Sequence, residues 1–221
     1  NYISKTRYVG SGSLHPDNAQ TDITYFDGLG SKSQIVNIAA STFRKDVITP
    51  VWHDAMRRED TRTYLPYVSS EMNAGYDPTP FVNQQEYYNG IYPGDSPAYA
   101  EKIYETSPLN RVLGQINVGR DFRPGNDIIR TTLHYESNTA HEVIRFVYNY
   151  NTRSIDRAVD NNGFYPANTL LKNIVIDEDT LQTASFADLQ GHTVLTRSYI
   201  PAADNRPETV DTYYIYDDLG L

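Results

Sequence analysis

The sequence predicts an all-β fold of stacked antiparallel β-hairpins with one short helix near residues 80–90. The first observation is that 19 tyrosines stand against 7 phenylalanines and 1 tryptophan. Tyrosine suits a half-buried pleated surface, where its ring packs inward and its hydroxyl reaches water. The second observation is that 13 glycines and 12 prolines supply frequent turns. Because only 39% of the residues are hydrophobic, we expect a thin core between sheets or on one sheet face.

A period of two in hydrophobicity supports this fold class. In residues 142–150, one face of the predicted strand carries the side chains Ile144, Phe146, Tyr148 and Tyr150. Similar segments, separated by clusters of turn residues, predict further strands at 22–27, 33–39, 46–53, 61–66, 153–159, 169–177, 182–188, 192–199 and 209–217.

One short helix is predicted over residues 79–90. Thr79 is suited to the N-cap, Pro80 to the first helical position and Gly90 to the end of the helix. The surrounding residues 67–99 are rich in proline and glycine and form an irregular insertion. No sharp boundary divides the chain, so residues 1–221 are predicted to be a single domain.

Charge and composition exclude several kinds of protein. The net charge of −9 repels a phosphate backbone, so nucleic acid is not an expected partner. No segment approaches the roughly 18 apolar residues of a membrane span. The absence of cysteine excludes disulfides, cysteine nucleophiles and thiolate zinc sites. Since the chain begins Asn1-Tyr2-Ile3, we expect it to be an excised or processed piece.

The polar residues predict no enzyme, no cofactor and no metal site. No H-E-x-x-H or G-x-S-x-G motif is present. The acidic clusters at 177–179 and 217–218 could offer oxygens to calcium, but hairpin tips explain both clusters more simply. The histidines are scattered rather than spaced as metal ligands; they are His15, His53, His134, His141 and His192.

Tyrosine-rich surfaces can also bind carbohydrate, because the C–H faces of sugars stack on aromatic rings. The alternative to a structural module is therefore a surface carbohydrate-binding module. Its candidate platform consists of Tyr87, Tyr88, Tyr92 and Tyr99, with Trp52 as a further aromatic to inspect. The competing interpretation is that most of these rings stack on one another within the fold.

The most informative pattern is a repeated Asp-x-x-Gly step. It occurs in Tyr25-Phe-Asp-Gly-Leu-Gly30, in Phe186-Ala-Asp-Leu-Gln-Gly191 and in Tyr216-Asp-Asp-Leu-Gly220. The segment around Asp54 has the same frame, with Arg57 in place of glycine. The four aspartates form two pairs, 27 with 54 and 188 with 217. The spacing within each pair suits two strands and two turns.

This pattern has a physical explanation. An aspartate that follows a strand can accept hydrogen bonds from amides inside the turn. Glycine supplies the positive φ that closes a tight hairpin. The aromatic residue before the aspartate can then stack on its neighbours one repeat away. Since a single hairpin cannot bury its own face, such units stack and share a core.

These copies resemble the YD repeat of RHS proteins, in which tyrosine and aspartate are followed by two variable residues, glycine and arginine. The chain is similar to the domain of unknown function that precedes the RHS repeats in large Bacteroidetes surface proteins. It departs from the pattern at Ser31 and His192 (usually arginine), and at Arg57 and Thr180 (usually glycine). The matching stretches are 1–3, 25–30, 45–50, 64–67, 105–112, 191–197 and 211–220.

The resemblance implies a mechanical role. RHS-type proteins form spirals of β-hairpins that close into a hollow shell. The chain would be the N-terminal lead-in or cap of such a shell in a secreted or surface protein, with residues 182–221 as the first repeat-like hairpins. Its expected partner is the remainder of its own chain, besides a possible glycan or protein ligand. We also expect an exposed sheet edge near residues 209–221.

Overall fold

The computed structural model describes residues 1–8, 19–123, 128–200 and 208–216, and β-strands dominate these residues. The predicted all-β class of antiparallel hairpins with one short helix is confirmed. The chain divides into two compact units, Asn1–Ile129 and Arg130–Leu221.

The first unit contains two antiparallel groups of strands. A five-stranded sheet has the order β1-β2-β3-β4-β6, and β5 pairs with β7, which pairs with β8. A short 3-10 turn follows at Arg120–Phe122. The strands are β1 (Tyr2–Tyr8), β2 (Ala19–Phe26), β3 (Lys32–Asn37), β4 (Val47–Pro50), β5 (Arg62–Tyr64), β6 (Tyr67–Val68), β7 (Tyr99–Tyr104) and β8 (Val112–Ile116).

The single α-helix in the described residues, α1 (Pro80–Ile91), lies within the predicted insertion. Proline occupies its first turn because the amide that proline lacks would have no partner there. Gly90 does not end the helix, which continues to Ile91 and is capped at Tyr92. Pro93 follows directly and cannot continue a helix.

The core of the first unit lies between α1 and the five-stranded sheet. Val36, Ile48 and Tyr67 are buried there, with Tyr87 and Tyr88 of α1 packed against them. Buried polar side chains also fasten this region. The Gln84 amide donates to the Ala98 carbonyl at 2.7 Å. The Asp46 carboxylate accepts from the amides of Ala39 and Ala74 at 2.9 and 2.8 Å.

The second unit is an antiparallel meander. Its strands pair in the order β9-β12-β13-β14-β15, and a separate hairpin joins β10 to β11. A short 3-10 turn lies at Asp160–Gly163. The strands are β9 (Thr131–Ser137), β10 (Phe146–Asn149), β11 (Ser154–Arg157), β12 (Leu171–Ile176), β13 (Gln182–Ala187), β14 (Thr193–Ile200) and β15 (Glu208–Tyr213).

The core of the second unit covers one face of this meander. It comprises the buried side chains Val143, Leu170, Ile174, Ala184, Phe186, Val194 and Leu195. The strand predicted over 142–150 is shorter than expected, since regular pairing covers only Phe146–Asn149. Its most buried residue is Val143 rather than a member of the predicted apolar face, because the chain bends to bridge Ile144 with Phe164.

Strand β15 lies at the end of this meander. It pairs with β14, and its residues from Glu208 to Thr212 are exposed. The predicted exposed edge near 209–221 therefore corresponds to this strand as far as Tyr213, residues 214–216 follow it without strand structure, and residues 217–221 lie outside the described part.

Within the residues that the structure describes, no helix is long and apolar enough to cross a membrane.

Replacing Phe186 with alanine is expected to lower the free energy of unfolding by about 3–5 kcal/mol, because Phe186 is 0% exposed at the centre of a core and the change leaves a cavity. Phe43→Ala is the matched control. Phe43 is 83% exposed, so its loss should change stability by no more than about 0.5 kcal/mol. Urea unfolding followed by circular dichroism measures both. Similar values for the two variants would contradict this packing.

Candidate functional site: the aspartate-closed turns

The turns predicted at Asp27, Asp54 and Asp188 share one set of hydrogen bonds. Each is a five-residue turn that begins with the aspartate, and we name it an aspartate-closed turn. The Oδ1 atom of the aspartate accepts from the amides of the third and fifth residues. These distances are 2.9 Å at Asp27, 2.9 Å at Asp54, and 3.0 and 2.9 Å at Asp188.

The backbone closes the same turn. The aspartate amide donates to the carbonyl of the fifth residue, as from Asp27 to Ser31 at 2.8 Å, and the amide of the fourth residue donates back, as from Gly30 to Asp27 at 3.2 Å. The fourth residue has positive φ in each case. Glycine meets this requirement at Gly30 (82°) and Gly191 (91°), whereas Arg57 adopts 64° despite its side chain.

The same geometry occurs at two turns without glycine. Asp177 accepts from the amides of Asp179 and Leu181 at 3.0 and 2.8 Å, and Thr180 takes φ of 67°. Thus the acidic cluster at 177–179 forms the tip of the β12–β13 hairpin. At 41–45 the Ser41 hydroxyl replaces the carboxylate and accepts from the Lys45 amide at 2.8 Å. A search for Asp-x-x-Gly misses the serine turn because both key residues differ.

The second carboxylate oxygen, Oδ2, is paired in three of these turns. In the turn at Asp54, the fifth residue Arg58 donates from Nε to Oδ2 at 2.7 Å. His192 has the same position in the turn at Asp188, and its Nδ1 lies 3.1 Å from Oδ2. In the turn at Asp27, the fifth residue is a serine, and the cation comes from elsewhere.

That cation is Arg57 of the neighbouring turn. Its guanidinium lies 2.5 Å from Oδ2 of Asp27 and 2.6 Å from the Ser31 hydroxyl. The side chain at the usual glycine position of one turn therefore supplies the charge missing from the other. The two departures from the repeat pattern, Ser31 and Arg57, complement each other.

These contacts shift the acidity of the aspartates. The Arg57 guanidinium and the turn amides lower the pKa of Asp27 to about 2. Partial burial raises the pKa of Asp54 and Asp188, but bonds from the fifth residue and the turn amides outweigh it, so both pKa values lie below the ordinary range. The carboxylates are ionised at neutral pH, and their oxygens are occupied by bonds within and between turns.

Arg58 extends the contact to a third turn. Its guanidinium lies over the Tyr104 ring at 4.2 Å and donates to Asn110 Oδ1 at 3.1 Å. Asn110 belongs to the β7–β8 connection, which is closed by the ion pair of Arg111 with Glu105 at 2.9 Å. Adjacent arginines thus join three turns of the first unit side by side.

The aromatic residues of the repeat also make contacts. The Tyr25 ring packs against Tyr2 and Tyr76 with centroid distances of 5.8 and 5.4 Å, and its hydroxyl donates to the Ala74 carbonyl. Tyr216 stacks on His192 at 4.9 Å, with 29° between the ring planes. This second contact joins one repeat-like segment to the turn before it. The predicted turn residues Asp217 and Gly220 lie outside the described residues.

The four tyrosines of the proposed glycan platform have different surroundings. Tyr87 and Tyr88 form an edge-on pair at 5.3 Å and pack against the sheet, where the Tyr88 hydroxyl donates to the Pro66 carbonyl. Tyr92, at the helix end, is exposed. Tyr99 lies on β7, with the guanidinium groups of Arg62 and Arg123 at 5.1 and 5.4 Å from its ring centroid. Trp52 packs edge-on against Phe81 at 5.7 Å.

The histidines are separated in the fold. Across the four described stretches of chain, no three His, Cys, Asp or Glu side chains are grouped so that they could hold a metal ion. His53 lies 3.8 Å from Glu59, and His141 packs edge-on against Phe164. His134 lies on β9, and His15 falls outside the described residues.

Comparison with known proteins gives one family. A family model described as "Domain of unknown function (DUF6443)" matches residues 2–135, which is more than half of the 221-residue chain. No curated protein matches the chain.

Arg57→Ala is expected to raise the pKa of Asp27 from about 2 toward its ordinary value of 3.8, because the first cause of the low value is removed. In the native protein this carboxylate stabilises the fold above its unfolded pKa, and that contribution is lost as the pH falls toward 2. The variant should therefore differ least from the native protein at acidic pH. Carbon-13 NMR of the carboxyl group measures the pKa.

The matched control for this titration is Arg44→Ala. Arg44 also occupies the fourth position of a turn with positive φ (55°), but its turn begins with Ser41 rather than aspartate. This control should leave Asp27 unchanged. An Asp27 pKa that stays near 2 in Arg57→Ala would contradict the link between the two turns.

Thr180→Gly is expected to stabilise the protein by about 1 kcal/mol, since a left-handed backbone is costly for a residue with a Cβ atom and costs glycine little. Thr180 is exposed and has φ of 67°. Thr180→Ala keeps the Cβ atom and should gain much less. Chemical denaturation measures both changes. Equal gains in the two variants would show that backbone strain is not the cause.

Proposed function

The chain belongs to the DUF6443 family, and from that premise we propose that it is a non-enzymatic structural module that begins or caps the β-shell of a large RHS-repeat protein. The parent would be a secreted or cell-surface protein of the kind found in Bacteroidetes. Its partner would be the remainder of the same polypeptide, with the turns serving as YD-like repeats.

The repeated hydrogen-bond set of the aspartate-closed turns carries this proposal. Asp27, Asp54 and Asp188 occupy equivalent positions, and a side-chain nitrogen of Arg57, Arg58 or His192 meets Oδ2 in each of them. Recurrence of one closed turn along a chain is typical of arrays built from one supersecondary unit. A catalytic site, by contrast, needs a unique arrangement of groups that are available to a substrate.

Contacts between successive turns within each compact unit support an array. Arg57 and Arg58 join adjacent turns in the first unit. In the second unit the Tyr216 ring covers His192 of the preceding turn, and the Tyr216 hydroxyl donates to the Thr193 carbonyl at 3.0 Å. Each new repeat in such an array would place its aromatic residue on the turn before it.

The exposed strand β15 provides the surface on which an array could continue. Its pairing with β14 leaves the opposite edge available in the described structure, and exposed edges are templates for another strand. In the proposed parent protein, the next strand of the same chain would pair there.

Extending the chain by the next two repeats of its own gene tests this function. The longer protein should melt at a higher temperature, by about 2–4 °C for every kcal/mol contributed by the new interface. An extension of equal length made of glycine and serine is the control and should give no increase. Scanning calorimetry measures both. The proposal would be wrong if the gene encodes no further Tyr-Asp-x-x-Gly repeats, or if the two extensions behave alike.

A further inference from the structure

A cleft of about 400 Å³ opens in the second unit. Residues of the segment 145–150, which includes β10, form one side, and the segment after β15 forms the other. The turn at Asp188 and the start of β14 complete it. Its volume lies within the range of about 300–1,000 Å³ that is usual for ligand sites. The cleft is lined by, among others, the side chains of Arg145, Tyr148, Tyr150, His192, Tyr214 and Tyr216.

The aromatic rings in this cleft are unusually exposed for their size. Tyr150 is 60% exposed, Tyr214 is 45% and Tyr148 is 41%. Tyr148 and Tyr150 meet edge-on at 4.9 Å, so each restricts the other. Rings that are held in place but left open to solvent lose little conformational freedom when a ligand binds.

The walls themselves are anchored to the sheet. Phe146 of β10 packs edge-on against Tyr213 of β15 at 5.0 Å, and the Ile144 amide donates to the Tyr213 hydroxyl at 3.4 Å. On the other side, Tyr216 is fixed by His192 and Thr193. Both sides of the cleft are therefore tied to the same antiparallel meander.

Polar groups that contact acidic side chains lie among the rings. The Arg145 guanidinium lies 2.5 Å from Asp160, and His192 lies 3.1 Å from Asp188. The side chains of Arg145 and His192 line the cleft and are 38% and 40% exposed, so a ligand in the cleft can reach both. Because the Arg145 guanidinium already has an acidic partner, its charge is compensated and gives the cleft no excess positive charge that would select an anion.

We propose that this cleft binds an uncharged oligosaccharide. Exposed tyrosine rings would stack on the apolar C–H faces of the sugar, while Arg145 and His192 would hydrogen-bond its hydroxyls. The site uses rings other than Tyr87, Tyr88, Tyr92 and Tyr99. It adds a ligand to the structural role and does not depend on it.

Isothermal titration calorimetry with maltotetraose, cellotetraose and xylotetraose tests the inference, with tetragalacturonate as the charged comparison. At least one of the three neutral sugars should bind. Tyr150→Ala and Tyr148→Ala should each weaken that binding about tenfold or more, as expected for exposed aromatic anchors. Tyr150→Phe keeps the ring and should retain most of the affinity. Tyr92→Ala removes an equally exposed tyrosine (58%) outside the cleft and should have no effect.

Four outcomes would overturn the inference. They are binding of none of the neutral sugars, binding of tetragalacturonate alone, an equal loss in Tyr92→Ala and Tyr150→Ala, and binding that disappears when the chain is extended by its next repeats. The last result would identify the cleft as a packing surface for the rest of the polypeptide. Failure of sugar binding leaves the melting experiment on the extended chain unaffected, so the two proposals fail separately.

Discussion

A tight hairpin tip directs several backbone amides toward its own centre, and each of those amides needs an acceptor. Here one carboxylate oxygen meets that need. Oδ1 of Asp27, Asp54, Asp177 and Asp188 accepts from two amides in the same turn. Because Asp27, Asp177 and Asp188 follow their strands directly, this bond also determines where the next strand begins. The order of the hairpins therefore depends on it.

The second carboxylate oxygen, Oδ2, can also bond to a side chain of another turn and so connect two turns. At Asp54 and Asp188 the partner of Oδ2 is the fifth residue of the same turn, Arg58 or His192. At Asp27 the cation comes from Arg57 in the next turn. An exchange of this kind makes neighbouring hairpins depend on one another. It also explains why serine is tolerated at position 31.

Short sequence patterns predicted the closed turns. They did not predict the contacts between residues that are distant in the sequence. Aspartate with glycine three residues later indicates a closed turn from sequence alone. The reach of Arg57 across 30 positions depends on sheet pairing and has no local signature. Strand β1 was not predicted, because every residue of Tyr2–Tyr8 is exposed and no apolar face marks it. Strand β9 was likewise not predicted, since Leu133 and Tyr135 are the only apolar side chains in it.

The central claim is that the aspartate Oδ1 closes each turn by accepting from the turn's own amides. Amide hydrogen exchange at the fifth position of the turns tests this claim most directly. The account predicts that the amides of Ser31, Arg58 and His192 exchange slowly at neutral pH in the native protein. In Asp188→Ala, the His192 amide should lose its protection, while Ser31 and Arg58 keep theirs. Exchange of all three amides at the rate of an unstructured chain, or an unchanged rate at His192 in the variant, would contradict it.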